Sequence, residues 1–365
     1  MTVAVSGESI TFNDNSVQAT APKIGMVNRI INGAMVIDQR NAGASVTINS
    51  NQYTIDRYQA IQTQTGKYSV QQSTTVPAGF KNSMLITSAS AYSITSSDTF
   101  YFRQSIEGYN VADLAFGTAS AATVTLSFWV RSSLTGTFGG ALKNDAGNRS
   151  YPFSYTISAS NTWEQKSITI AGDQSGTWDT GTARGLQVVF GLGVGSTYST
   201  TAGAWAAGDY SSATGATSVV GTSGATFYIT GVQLEKGSTA TSFDYRPYGT
   251  ELGLCQRYYV QWGGSSAYSS YGGNLGQCNS TTNATIRLPV PVPMRTSPTI
   301  SYIGTPRLDD GQAGYSVTAI TGIIEDVTST GASLSVTSSG LNTYRPVKLD
   351  ANNNIAGRLI FSSEL

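Results

Sequence analysis

Along much of this chain apolar and polar residues alternate one for one, the pattern of a strand with one buried face. Thr123, Thr125 and Ser127 interleave with Val124, Leu126 and Phe128, and the run continues through Trp129 to Val130. Residues 164–170, 185–190 and 226–234 read the same way, with earlier strands at 83–89 and 99–106. Clusters of Gly, Ser, Thr and Asn separate these blocks and read as turns or long loops. With no helical periodicity between strands, the pattern predicts an antiparallel β-sandwich or jelly roll. A short strand entering a turn is predicted at 9–16; it is too short to bury its own apolar side and must dock elsewhere.

One segment reads as a helix, over 250–259. Leu252, Cys255 and Tyr259 fall on one face there, with Thr250 as N-cap and Glu251 in the first turn. Arg246-Pro247-Tyr248-Gly249 ahead of it reads as a boundary. Beyond it, the run Leu288-Pro289-Val290-Pro291-Val292-Pro293 has proline at every second position, which predicts an edge strand or a polyproline-like segment. Short strands then continue to Leu365 as a second, smaller β domain. The longest loop, 191–225, carries Trp205 and Tyr210, and a loop of that length in a compact domain is usually functional or poorly ordered.

Composition narrows the chemistry. Of 365 residues only 12% are charged, 21 basic and 21 acidic, about half the usual share of roughly 25%. Histidine is absent, so no Ser-His-Asp or Cys-His relay and no imidazole metal ligand exists. The formal net charge of zero, with no basic run, gives no footprint for nucleic acid or an anionic membrane. No apolar run reaches the roughly 18 residues of a spanning helix. The start, MTVAVSGESI, lacks the basic region and long apolar stretch of a signal peptide. Cys255 and Cys278 are too few for a zinc site and are expected to be reduced.

Three constellations remain. The glycine run Gly191–Gly195 follows a strand but continues as loop, where a dinucleotide site needs a helix N-terminus, so no nucleotide or other cofactor is expected. Asp173, Asp179, Asp209, Asp309, Asp310, Glu325 and Asp326 form the pool for paired-carboxylate glycoside hydrolysis or oxygen ligation of calcium. Adjacent acids in glycine-flanked turns are ordinarily solvated, so no catalytic residue and no metal ligand is assigned. Aromatic rings are the stronger lead, because they stack on sugar faces and suit uncharged polysaccharides. Trp129 and Trp163 are assigned to the core. Trp178, Trp205, Tyr210, Trp262, Tyr268 and Tyr271 lie among Gly and Ser and are the candidate carbohydrate-binding residues, with loop packing or a subunit interface as the competing role.

Several blocks carry a resemblance. The run Asn28-Arg29-Ile30-Ile31-Asn32-Gly33-Ala34-Met35, followed by Gln39-Arg40 and Tyr53-Thr54-Ile55-Asp56-Arg57-Tyr58, resembles the opening of many bacteriophage tail-fibre proteins. That family usually has tryptophan or phenylalanine where Tyr58 stands. The stretch from Phe227 through Val232-Gln233-Leu234-Glu235-Lys236-Gly237 and Phe243–Tyr248 to Tyr259 is similar to the same class, as is the ending Phe361–Leu365. Residues 9–21 are similar to short virion-attachment segments. The region 59–248 is similar to a carbohydrate-binding-module jelly roll, whose aromatics match Phe128-Trp129 and Thr162-Trp163-Glu164.

The resemblance implies a phage virion fibre, a homotrimer that binds host-surface glycan and carries no catalytic motif. Its expected parts are an attachment and lead-in segment (1–58) that contacts other virion proteins, a jelly roll (59–248) and a C-terminal β tip (249–365). The expected setting is the virion, after synthesis in the host bacterial cytoplasm, where free cysteines persist. Trimerisation would cover the N-terminal strand and the proline-rich edge. A structural head fibre or capsid decoration, a capsular depolymerase and a secreted binding module are the competing readings.

Overall fold

The computed structural model describes residues 26–323 and 326–365 and, ahead of them, the strands Ala4–Ser6, Ser9–Thr11 and Val17–Gln18, which pair as a three-stranded sheet. The strand expected at 9–16 is thus seen over its first three residues, and the rest of that stretch lies outside the described residues.

The chain is all-β, a jelly-roll sandwich followed by a smaller β domain with one short α-helix among the described residues. In the sandwich, sheet I has six antiparallel strands in the order Glu164–Ile170, Val124–Ser132, Thr226–Lys236, Ser83–Ser88, Tyr68–Ser73 and Val46–Thr47. Sheet II has seven, with Gly136–Lys143, Arg184–Val194 and Thr99–Glu107 at its centre and Tyr58–Gln62 beyond them. Alternation sets the core, since Val124, Leu126, Phe128 and Val130 of sheet I face Phe100, Phe102, Val188 and Phe190 of sheet II, all buried. Phe102 stacks on Phe190 at 5.1 Å between centroids, and Phe128 meets Phe190 edge-on at the same distance. Full burial of each such ring is worth about 1.5–3 kcal/mol.

Ile30, Met35, Ile48, Ile55 and Tyr58 belong to this same core. The second half of the segment assigned to lead-in therefore packs into the sandwich, and residue 58 begins one of its strands.

The second unit pairs a three-stranded sheet, Tyr259–Gly263, Arg358–Ser362 and Thr299–Ile303, with a seven-stranded one around Ser270–Cys278 and Asn283–Pro289, over its own core. Asn283–Pro289 is an edge strand over part of its length only. It has neighbours on both sides at Ala284–Ile286 and on one side only at Asn283 and at Arg287–Pro289, so the expected edge character holds at Leu288 and Pro289, which face Ala332 and Gly331, and the missing proline N–H costs no ladder bond there. Residues 290–293 lie outside the ladders.

The helix spans Tyr248–Gln256, two residues earlier than expected, and Pro247, not Thr250, is its N-cap. Its buried residues are Glu251 and Cys255, and Tyr259 opens the next strand. The Glu251 carboxylate accepts from the backbone N–H of Asn32 and from Arg246, whose guanidinium also donates to the carbonyls of Asn28 and Ile30. Cys255, Tyr258, Ile31 and Ile37 close a small separate core at the junction of the two units. Arg40 bonds Asp56 at 3.0 Å and Glu364 at 2.8 Å, Arg57 also bonds Glu364, and Arg257 bonds Glu107 at 2.6 Å. The blocks that resemble fibre proteins thus converge on this junction.

Candidate functional site

The structure places three of the six predicted rings in each of the two units, and only Trp178, Trp205, Trp262 and Tyr271 pack against a core. Trp178 and Trp205 meet, with centroids 5.5 Å apart and planes at 84°. Phe116 lies edge-on to both, and Tyr151 closes the group at 5.4 Å from Trp205. Both indole N–H groups are spent on backbone, Trp178 on the Ser175 carbonyl and Trp205 on the Ala171 carbonyl. Tyr210 is half-buried and held by its backbone N–H on Ser150 Oγ, in no ring contact with the pair. In the second unit, Trp262 packs edge-on against Phe361 at 4.9 Å. Tyr268 is 47% exposed, with the Arg307 guanidinium 4.7 Å from its ring centre. Tyr271 is fully buried in the second core, and burial pushes its hydroxyl up to about 12, so its ring offers no face to a ligand.

The loop expected at 191–225 is largely structured. Its first residues finish the strand Arg184–Val194, and Ser199–Thr200 pairs in parallel with Ser212–Ala213. Ser212 lies on the outer face of sheet II over Gly139, where a Cβ would sit 2.4 Å from its Oγ, so glycine is required for the loop to lie down.

A different aromatic surface lies on the outer face of sheet I. Trp129 and Trp163, expected in the core, are half-buried there, because the alternation that turns Phe128 and Val130 inward turns Trp129 outward. Trp163 contacts Tyr228, over which Arg131 lies at 5.1 Å. At the end of this face Phe80, Phe243 and Tyr245 form a triangle with centroid distances of 5.3, 5.5 and 4.8 Å. They line a cleft of about 220 Å³ with Lys81, Arg246 and Glu251. The tightness comes from Gly231, at φ +61° in the strand irregularity opposite Ser127–Trp129, where a Cβ would lie 2.6 Å from the Phe80 ring and 3.2 Å from Trp129. Tyr245 is 59% exposed and ties its hydroxyl to the Gly79 carbonyl at 3.0 Å.

The cleft thus combines one exposed and two half-buried rings with two cations, Lys81 and Arg246, and the Glu251 carboxylate, a combination suited to the apolar face and hydroxyl rim of a sugar ring. Sequence reading missed it because Phe80 and Phe243 lie 163 positions apart, far outside any local window. The available signal was the outward register of Trp129 and the aromatic spacing Phe243, Tyr245, Tyr248 in an otherwise polar stretch.

Four members of the carboxylate pool, Asp173, Asp209, Asp309 and Asp310, are engaged in ion pairs. Asp173 is buried against Arg149, which reaches its two oxygens at 2.7 and 2.6 Å, and Asp209 holds Lys143 at 2.6 Å. Asp309 and Asp310 hold Arg307 and Arg345, and Asp179 accepts from the Gly181 N–H. Glu325 lies outside the described residues. Among the described residues no group of three His, Cys, Asp or Glu side chains could hold a metal ion, and both cysteines are free, buried and in different cores.

No protein-family model matches the chain, and no curated protein matches it. Solved structures do. The enzymatically active domain of bacteriophage CBA120 tailspike protein 4 aligns over 58% of this chain and 22% of its own, at 15% identity and a TM-score of 0.33. The family 11 carbohydrate-binding module of Clostridium thermocellum, solved with a mixed-linked β-1,3-1,4 tetrasaccharide, aligns over 54% of this chain and 98% of its own, at 13% identity and a TM-score of 0.28. The CBM22-1–GH10 modules of Clostridium thermocellum xylanase 10B, solved with xylohexaose, align over 55% and 30%, at 12% identity and a TM-score of 0.26.

Proposed function

We propose that this chain is a non-enzymatic carbohydrate-binding protein that serves as a phage virion fibre and holds host-surface glycan during adsorption. The observation that carries the binding role is the cleft between Phe80, Phe243 and Tyr245, which has room for one sugar ring. A single ring on one aromatic clamp binds weakly. Three copies in a homotrimer raise the avidity by effective concentration alone. The fibre role draws on the blocks at 28–58 and 227–259 that resemble tail-fibre proteins, with the N-terminal segment contacting other virion proteins.

The test has two arms. Pre-incubating host cells with purified protein should block phage adsorption, and the variant Phe243→Ala with Tyr245→Ala should lose that block and at least about tenfold in affinity for a neutral host oligosaccharide. Its melting temperature should stay near wild type. Normal adsorption at saturating protein sinks the receptor role and favours a structural fibre. Reducing ends released from host polysaccharide would instead make the protein a depolymerase.

A further inference from the structure

The outer face of sheet II carries charge. On adjacent strands, Gln59 faces Arg103 across one ladder, Ser105 faces Gln187 across the next, and Gln187 faces Lys143 across a third. Arg103 is fixed by two amide oxygens, Gln59 Oε1 at 3.0 Å through Nε and Gln187 Oε1 at 2.6 Å through Nη1. No carboxylate among the described residues pairs with it, and its Nη2 has no acceptor. Beside it Arg184 pairs with the half-exposed Asp145 at 3.1 Å, and Lys143, almost wholly buried, donates to Asp209 at 2.6 Å and Ser211 Oγ at 3.0 Å. Three cations therefore face two carboxylates. Glu364, further along this face, is already shared by Arg40 and Arg57.

Two polar atoms of this cluster lack any partner among the described residues. Ser105 Oγ and Arg184 Nε are both buried, and Ser105 is only 2% exposed. Leaving such groups unpaired is costly, and a guanidinium beside a second one adds like-charge repulsion. The Arg184 guanidinium is pushed down from its usual range, first by burial and then by the Arg103 charge.

We propose that this cluster is a second glycan subsite, which takes the carboxylate of an acidic sugar, a hexuronate within a host polysaccharide. The single surplus positive charge matches one carboxylate better than a phosphate dianion. Arg103 Nη2 and the Arg184 guanidinium each offer it a charge-assisted N–H donor. The Gln59 amide and the exposed oxygen of Asp209 are placed to bond ring hydroxyls. The inference rests on the glycan-binding reading but uses other residues on the opposite sheet, so the two fail separately.

The test is calorimetric titration of the full chain with an oligosaccharide of alternating glucuronate and N-acetylglucosamine, its carboxyl-reduced neutral counterpart, galacturonate oligomers and inorganic phosphate. A uronate form should bind at least about tenfold more tightly than its neutral counterpart, a preference that weakens as salt rises. Arg103→Gln should abolish the preference and leave the neutral affinity of the aromatic cleft unchanged, while Phe243→Ala with Tyr245→Ala should do the reverse. Arg184→Gln is the second variant should Arg103→Gln lower the melting temperature. Equal affinity for acidic and reduced sugars, no saturable binding of either uronate, or unchanged binding in a folded Arg103→Gln protein overturns the proposal. Tighter binding of phosphate than of both uronates overturns the sugar assignment.

Discussion

Trp205 shows how a single side chain changes meaning once its neighbours are known. From sequence it is an aromatic among glycines and alanines in a long loop, the profile of a sugar-stacking residue. In the fold it is half-buried, wedged against Phe116, Trp178 and Tyr151, and its indole N–H is bonded to the Ala171 carbonyl at 2.7 Å. Removing the ring breaks three aromatic contacts and leaves a void over sheet II. Trp205→Ala is therefore expected to destabilise the sandwich by about 2 kcal/mol, below the roughly 3–5 for a fully buried tryptophan, and to lower the melting temperature. Thermal denaturation followed by circular dichroism checks this. An unchanged melting temperature with weakened sugar binding would return Trp205 to the ligand set.

At the scale of the element, strands were legible and their partners were not. The six blocks read from alternation agree with observed strands to within a few residues, because each buries one face and a one-residue slip would expose every apolar side chain. The helix was displaced by two residues because a tertiary contact, Glu251 with Asn32 and Arg246, decides where its first turn lies. The cleft was invisible for a related reason: strand alternation says which residues face outward, but not which loops converge on that face. One element that looked inert from sequence has a distinct electrostatic role. Asp310 sits at the turn between Arg307–Asp309 and Gly314–Ser316, accepting the N–H groups of Gln312 and Ala313 and pairing with Arg345 at 2.8 Å. These bonds, the backbone ones first, hold its carboxyl well below the usual range. A depressed carboxylate contributes stability that is present above its unfolded value near 4 and is lost as pH falls through the folded value. Acidification below about pH 4 should loosen this hairpin, and Asp310→Asn should be less stable at pH 7 with a shallower acid dependence. Hydrogen exchange of the 307–316 amides across pH measures both, and an unchanged acid slope in the variant counts against the assignment.

For the whole molecule, the question is whether two β units with separate cores unfold as one. Among the described residues their apolar contact has Ile31, Ile37, Cys255 and Tyr258 buried at the junction and Met26, Val36, Leu252, Leu254 and Leu365 half-buried against them, and the coupling draws on ions as well. Glu364, from the end of the second unit, bonds Arg40 and Arg57 of the first, and Arg57 is 1% exposed with its guanidinium 3.5 Å from the centre of the Tyr258 ring. Neutralising that carboxylate leaves Arg57 with no carboxylate among the described residues and Arg40 with Asp56 alone. Stripping one partner from a buried pair costs about 3–5 kcal/mol, a loss that falls on the interface between the units and on neither core. Wild-type protein should therefore melt in one cooperative transition, and Glu364→Gln should split it into two, each carrying the enthalpy of one unit. Differential scanning calorimetry separates the cases. Two transitions already present in wild type would mean the junction never coupled the units, and a single unshifted transition in the variant would place the coupling in the apolar contact and the Arg257–Glu107 pair.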